Sequence, residues 1–147
     1  MVTIRQADTD DAGAVRDLLG QLGYTFTVEA VQDRLTLLAA AGTDPVLLAV
    51  VDGVTVGLIA LHLATMLQVA EPVARVTALV VHDQSQGAGV GRLLVDAGDE
   101  LARKKGCRIL ELTTAVARMD AHTFYRKLGF TNSSLRFSRP IKSAVTA

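Results

Sequence analysis

The sequence predicts an α/β (α+β) domain in which amphipathic helices flank a sheet containing a parallel strand pair. Three observations carry this reading. Valine-rich runs with the two-residue period of strands alternate along the chain with apolar spacings of helical period. Asp52-Gly53 stands between two of the valine-rich runs, a strong hairpin signal. Finally, residues 73–82, a glycine-rich turn, an amphipathic segment and residues 108–114 follow as strand, crossover helix and strand, which sets those two strands parallel.

With 147 residues, half of them hydrophobic, the chain fits one domain, 1–147, with a sizeable core. Fifteen Lys and Arg balance fifteen Asp and Glu, so no net field favours nucleic acid or an anionic membrane, and neither is an expected partner. The longest apolar region, 46–67, is broken by Asp52-Gly53 and reads as two strands, not a membrane span. Cys107 is the lone cysteine, expected as a buried, inert thiol. The first residues, with Arg5, Asp8, Asp10 and Asp11, lack the apolar core of a signal peptide, and the expected location is cytoplasmic.

In order, residues 2–5 read as a short strand, and Thr9 or Asp10 can cap a helix with Val15, Leu18, Leu19 and Leu22 on one face. Thr27 caps a second helix carrying Val28, Val31, Leu35 and Leu38. Tyr24 and Phe26, between the two helices, either staple them together or line a pocket. Pro45 leads into the hairpin around Asp52-Gly53. In 73–82, strict alternation puts Arg75, Thr77, Leu79 and Val81 on one face and Val76, Ala78, Val80 and His82 on the other. Val90, Leu93, Leu94, Ala97 and Leu101 stripe the next helix, and Gly106 ends it. A shorter helix over about 119–128 stops at Gly129, and strands are expected at Phe130-Thr131 and Leu135-Arg136-Phe137.

The turn Gln86-Gly87-Ala88-Gly89-Val90-Gly91-Arg92 joins a strand to a helix N-terminus. Glycines allow close backbone approach, and the first N–H groups of a helix attract phosphate, so a phosphate-bearing cofactor is expected. The spacing fails the dinucleotide fingerprint, because Arg92 stands where that pattern continues toward its last glycine. A P-loop fails for want of Gly-Lys-Ser or Gly-Lys-Thr.

Read as Gln86-x-x-Gly89-x-Gly91 after Leu79-Val80-Val81, the segment resembles motif A of the GNAT N-acetyltransferase superfamily, Arg/Gln-x-x-Gly-x-Gly/Ala. Downstream, Ala121-His122-Thr123-Phe124-Tyr125-Arg126-Lys127-Leu128-Gly129-Phe130 resembles that family's Ala-x-x-Phe-Tyr-x-Lys-x-Gly-Phe signature. The resemblance implies a mixed, mostly antiparallel sheet, splayed between its parallel strands and flanked by about four helices, with acetyl-CoA in the opening. It implies backbone contacts to the cofactor from Leu79, Val80 and Val81. The amides of Gln86, Gly87, Ala88, Gly89, Val90, Gly91 and Arg92 would hold the pyrophosphate.

An amide near Val80 or Val81 would polarise the thioester carbonyl. Tyr125 is implied as the catalytic acid that protonates the leaving thiolate, with Phe124 as its core neighbour. His122, Lys127 and Arg126 are further cofactor candidates on the same helix. Arg118 stands where many relatives carry an Asn that contacts the cofactor. Together with Ser134-Leu135-Arg136-Phe137, the run from Arg118 is similar to members that include aminoalkylphosphonate N-acetyltransferases.

The resemblance implies acetyl transfer to a primary amine by direct attack through a tetrahedral intermediate, the acceptor being a small amine or a protein amine. Such an amine, with a pKa near ~10.4, must lose a proton first, and Glu71, His62 and Thr77 (through a water) are the candidates for that step. No histidine spacing makes a metal site, and no metal is expected. The rival readings are a CoA-binding regulatory module without transferase activity and a nucleotide-binding regulatory domain. A homodimer is expected from exposed sheet edges.

Overall fold

In a computed structural model of the chain, the described residues are 1–114 and 119–142. The elements are β1 (Val2–Gln6), α1 (Ala12–Gln21), α2 (Val28–Ala41), β2 (Val46–Val51), β3 (Val54–Ala64), β4 (Val73–Val81), α3 (Val90–Lys104), β5 (Leu110–Leu112) and α4 (Met119–Lys127). Short 3-10 turns lie at Thr9–Asp11 and Asp83–Ser85. The chain forms two compact units, Met1–Leu112 and Thr113–Ala147.

The first unit holds a five-stranded sheet in the order β1-β2-β3-β4-β5. Every neighbouring pair is antiparallel except β4 and β5, which are parallel as the crossover helix requires. At the hairpin, Asp52 and Gly53 have φ of 49° and 77°, the positive pair a type I′ turn needs. Thr27 caps α2 by accepting from the Ala30 amide at 3.1 Å. The first helical segment is capped one residue earlier than expected. Asp8 accepts from the Asp10 amide at 2.8 Å, while Asp11 accepts from the Asp8 amide at 2.9 Å, a reciprocal box that neither Thr9 nor Asp10 could close.

Two layers of helix sandwich this sheet. Ala12, Val15 and Leu18 of α1 and Val31 and Leu35 of α2 bury against Val46, Leu48, Leu58 and Val80. On the other face α3 comes close enough that glycine is needed on both sides. A Cβ on Gly57 would stand 3.0 Å from Leu94 Cδ1 and 3.1 Å from the Val80 carbonyl oxygen. A Cβ on Gly98 would stand 3.2 Å from Ile59 Cδ1.

Alternation along β4 is not strict. Ala60 pairs with Ala78 but Leu61 pairs with Val76, so Thr77 is an extra residue, a β-bulge. Ala78 and Val80 face α1 and α2, whereas Val76, expected beside them, pairs with Leu61 and lies on the α3 face. A period-two pattern cannot reveal the bulge, because apolar residues flank it on both sides.

In the second unit, α4 closes with the Phe130 amide donating to the Tyr125 carbonyl at 3.1 Å and Gly129 at φ 93°. The strands expected at Phe130-Thr131 and Leu135-Arg136-Phe137 do not form, and residues 130–142 run without regular structure. Short apolar runs become strands only when a neighbour supplies ladder partners, which a local pattern does not specify.

Candidate active site

β4 runs through His82 and the 3-10 turn into the glycine segment. Gly87 and Gly89 take φ of 83° and 81°, where a side chain would be strained, and the space above each is open. Gly89 is the N-cap of α3. Among the described residues no side chain caps that end and no acidic residue occupies its first turn, so its amides and partial positive charge face outward without a capping carboxylate. Val90 buries into the core and anchors the helix start, while Arg92 is exposed.

The glycine segment continues an open strand edge. Among the described residues β5 pairs with Ala74, Arg75 and Val76, so from Thr77 to Val81 the one strand paired with β4 is β3. This stretch, about 13 Å at ~3.3 Å per residue, includes Leu79, Val80 and Val81. Val80 is buried, its side chain in the core beneath α1 and α2. The Val81 carbonyl is braced from two sides. Gln21 Nε2 donates to it at 2.9 Å and Gln86 Nε2 at 3.2 Å. Gln86 also donates to Asp83 Oδ1 at 3.4 Å, so its side chain folds back on the turn. Gln21 carries no sequence signal for this role, since it lies sixty positions from its partner.

The three candidate bases differ in their partners. The Glu71 carboxylate pairs with Arg108 at 3.3 Å. Thr77 Oγ1 donates to the Ala60 carbonyl at 3.2 Å. His62 Nδ1 lies 2.8 Å from Asp44 Oδ1, and Thr43 Oγ1 donates to Asp44 Oδ2 at 2.8 Å. Arg75, paired with His62 in the β3–β4 register, donates from Nε to Glu111 Oε1 at 2.9 Å. Elsewhere, Tyr24 and Phe26 stack at 6.1 Å, Arg34 lies over Phe26 at 5.4 Å, and a cleft of about 370 Å³ opens beside them with Arg16 and Asp17 on its wall. Cys107 is buried, and burial pushes its thiol above the ordinary range.

The family model described as the acetyltransferase (GNAT) family matches residues 14–130. The chain belongs to the GNAT acetyltransferase family. It is 32% identical over 142 residues to aminoalkylphosphonate N-acetyltransferase of Salmonella typhimurium strain LT2, covering 94% of this chain and 90% of that protein. It is 34% identical over 146 residues to aminoglycoside N(6′)-acetyltransferase type 1 of Stenotrophomonas maltophilia, covering 95% and 94%. Its fold matches AAC(6′)-Iy in complex with the bisubstrate analogue CoA-S-monomethyl-acetylneamine, with a TM-score of 0.84, 21% identity, and coverage of 97% and 99%.

As a GNAT family member the chain is an acetyl-CoA-dependent acyltransferase. The residues present fit that cosubstrate. A positively polarised helix end that no side chain caps among the described residues suits its pyrophosphate, and a strand edge without a neighbouring strand among them suits its amide-bearing arm. In the second unit of this acetyltransferase, Tyr125 is half-buried, with its ring edge-on to Phe124 at 5.5 Å and Phe130 at 5.9 Å. Phe124, expected in the core, is half-buried too; Ala121 is the buried residue of α4. His122 is half-buried and Arg126 and Lys127 are exposed on the same helix. Arg118 lies outside the described residues.

Proposed function

We propose that the chain is one N-acetyltransferase domain, 1–147, that moves an acetyl group from acetyl-CoA to a primary amine by direct attack through a tetrahedral intermediate. The observation that carries this reading is the continuity of the uncapped α3 N-terminus with the open Thr77–Val81 edge of β4. Acetyl-CoA, when bound, supplies an acetyl group activated as a thioester.

The chain's own residues then bind, orient and move protons. Backbone groups of Leu79, Val80 and Val81 hydrogen-bond the amide-bearing arm as a strand would. Amides of residues 87–92 hold the pyrophosphate, and Gln86 keeps their turn in place by bonding Val81 and Asp83. Arg126 and Lys127 neutralise the 3′-phosphate, and His122 and Arg118 complete the cofactor contacts. The Tyr125 hydroxyl, placed by the Phe-Tyr signature, gives its proton to the departing sulfur.

For the acceptor, the two curated relatives are named for aminoalkylphosphonate and aminoglycoside, which supports a small amine over a protein amine. The reading also includes a cytoplasmic location and a homodimer, checked by fractionation and by light scattering.

Acetyl-CoA-dependent thiol release across a panel of aminoalkylphosphonates, aminoglycosides, polyamines, amino acids and lysine peptides tests this reading. Release well above the no-acceptor rate with a small amine is expected. Background release across the whole panel, with acetyl-CoA still bound in calorimetry, would leave a CoA-binding regulatory module.

A further inference from the structure

We propose that His62 is the catalytic base that takes a proton from the acceptor amine, with Asp44 as its positioning residue. The assignment rests on the acetyl-transfer reading above and deepens it. His62 Nδ1 lies 2.8 Å from Asp44 Oδ1. Carboxylates only accept, so Nδ1 carries the hydrogen and the neutral ring keeps its lone pair on Nε2. Thr43 Oγ1 ties down the other Asp44 oxygen at 2.8 Å, which fixes the carboxylate and hence the ring. The His62 side chain is 44% exposed, and among the described residues nothing hydrogen-bonds Nε2.

Position supports the same role. Leu58 and Ala60 of β3 pack on the face covered by α1 and α2, and His62 follows on that face at the same two-residue step. Across the register it neighbours Arg75, which in turn neighbours Glu111. Two residues beyond Arg75 comes the Thr77 bulge, where β4 leaves β5 and its open edge begins. The charged groups bordering His62 are therefore Asp44 from the segment before β2, and Arg75 of β4 with its partner Glu111 of β5.

The other acids and hydroxyls nearby are committed. Glu71 is paired with Arg108, Glu111 accepts from the Arg75 guanidinium, and Thr77 spends its hydroxyl proton on Ala60. Of the three candidate bases, His62 is the one that combines an open lone pair with a fixed orientation.

The step balances as follows. An alkylammonium, of which only about 1 in 2,500 is unprotonated at pH 7 for a pKa near ~10.4, gives one proton to Nε2. The freed nitrogen lone pair forms the C–N bond to the acetyl carbon. The C–S bond then breaks with its electron pair on sulfur, the nitrogen loses a second proton and the sulfur gains one. The sum is R–NH3⁺ plus acetyl thioester going to R–NH–acetyl plus thiol plus one H⁺, which the imidazolium passes to water.

The test compares His62→Ala, His62→Gln and Asp44→Asn with the wild type, using an amine on which the wild type turns over. We expect His62→Ala to lower kcat about 10²-fold, with the KM for acetyl-CoA within about twofold, and added imidazole to restore part of the loss. Asp44→Asn should cost about tenfold or more by disturbing the ring's tautomer, again with the acetyl-CoA KM unchanged. Activity of His62→Ala within twofold of wild type overturns the assignment. So does a loss that imidazole does not restore in a variant whose thermal melt is intact. If His62→Ala does not fold, the kcat of His62→Gln is read against the same limits. A wild type that acetylates no amine fails earlier, at the parent reading, and is told apart by that.

Discussion

Gln21, the last residue of α1, grips Val81, the last residue of β4, through an Nε2–H bond to the carbonyl at 2.9 Å. The other end of the same amide accepts from the Asp83 backbone at 3.0 Å, so one side chain spans the exit of the strand and the entry of the glycine turn. Gln21→Leu keeps the size and loses both bonds. Each is worth about 1 kcal/mol net. We expect acetyl-CoA to bind roughly threefold to tenfold more weakly in calorimetry, with kcat at saturation changed little, because the turn is loosened while the reacting groups stay in place.

Gly89 sits at φ 81° with open space above it, so its replacement is strained by backbone conformation and not by crowding. Gly89→Ala should cost about 1–2 kcal/mol and weaken acetyl-CoA binding with it. Gly13, inside α1, is the control, since a methyl added there would meet nothing within 4 Å. Gly13→Ala should raise stability by about 0.5–1 kcal/mol, seen as a higher Tm.

Asp11 accepts from both terminal nitrogens of Arg5, at 2.9 and 2.7 Å, and from the Asp8 amide. The Arg5 bonds, first, and the Asp8 amide hold its carboxyl below the ordinary range, against the opposing effect of burial. A carboxyl depressed in the folded state adds stability above its unfolded pKa of about 3.9, and that contribution is lost as pH falls through the lower folded value. Asp11→Asn should therefore be less stable than wild type by about 1–2 kcal/mol at pH 7. In denaturant titrations the gap should close below about pH 4.

Tyr125→Phe keeps the ring contacts with Phe124 and Phe130 and removes only the hydroxyl. If that hydroxyl is the acid, kcat should fall about 10²-fold with acetyl-CoA affinity unchanged. Full activity in the phenylalanine variant would remove Tyr125 from the chemistry.

What could be read in advance was what neighbouring residues decide among themselves. The Asp52-Gly53 hairpin, the Thr27 cap and the glycine turn each depend on a few adjacent side chains and their φ angles. Contacts made by folding were invisible. Asp44 meets His62 across 18 positions and Gln21 meets Val81 across 60, and no local period marks either. The strands expected after Gly129 failed for the same reason, since alternation records a capacity to pair and not the presence of a partner. Tyr125 was singled out by its motif alone, because an edge-on aromatic cluster looks the same whether or not the hydroxyl reacts.

The extra residue at Thr77 changes the parity of β4. Arg75 and Val80 are an odd number of positions apart, so an unbroken strand would send them to opposite faces; here they share one. With the extra residue held out of the ladder, one side of the sheet is dry beneath α1 and α2 yet charged farther along the same strand. Straightening the bulge while keeping all nine residues would turn half the strand over, driving either Arg75 into the apolar layer under α3 or Val80 out of the core, whereas deleting Thr77 leaves a regular ladder with the same partners. Holding Thr77 out of the ladder is thus what makes a strand of this length fit the sheet.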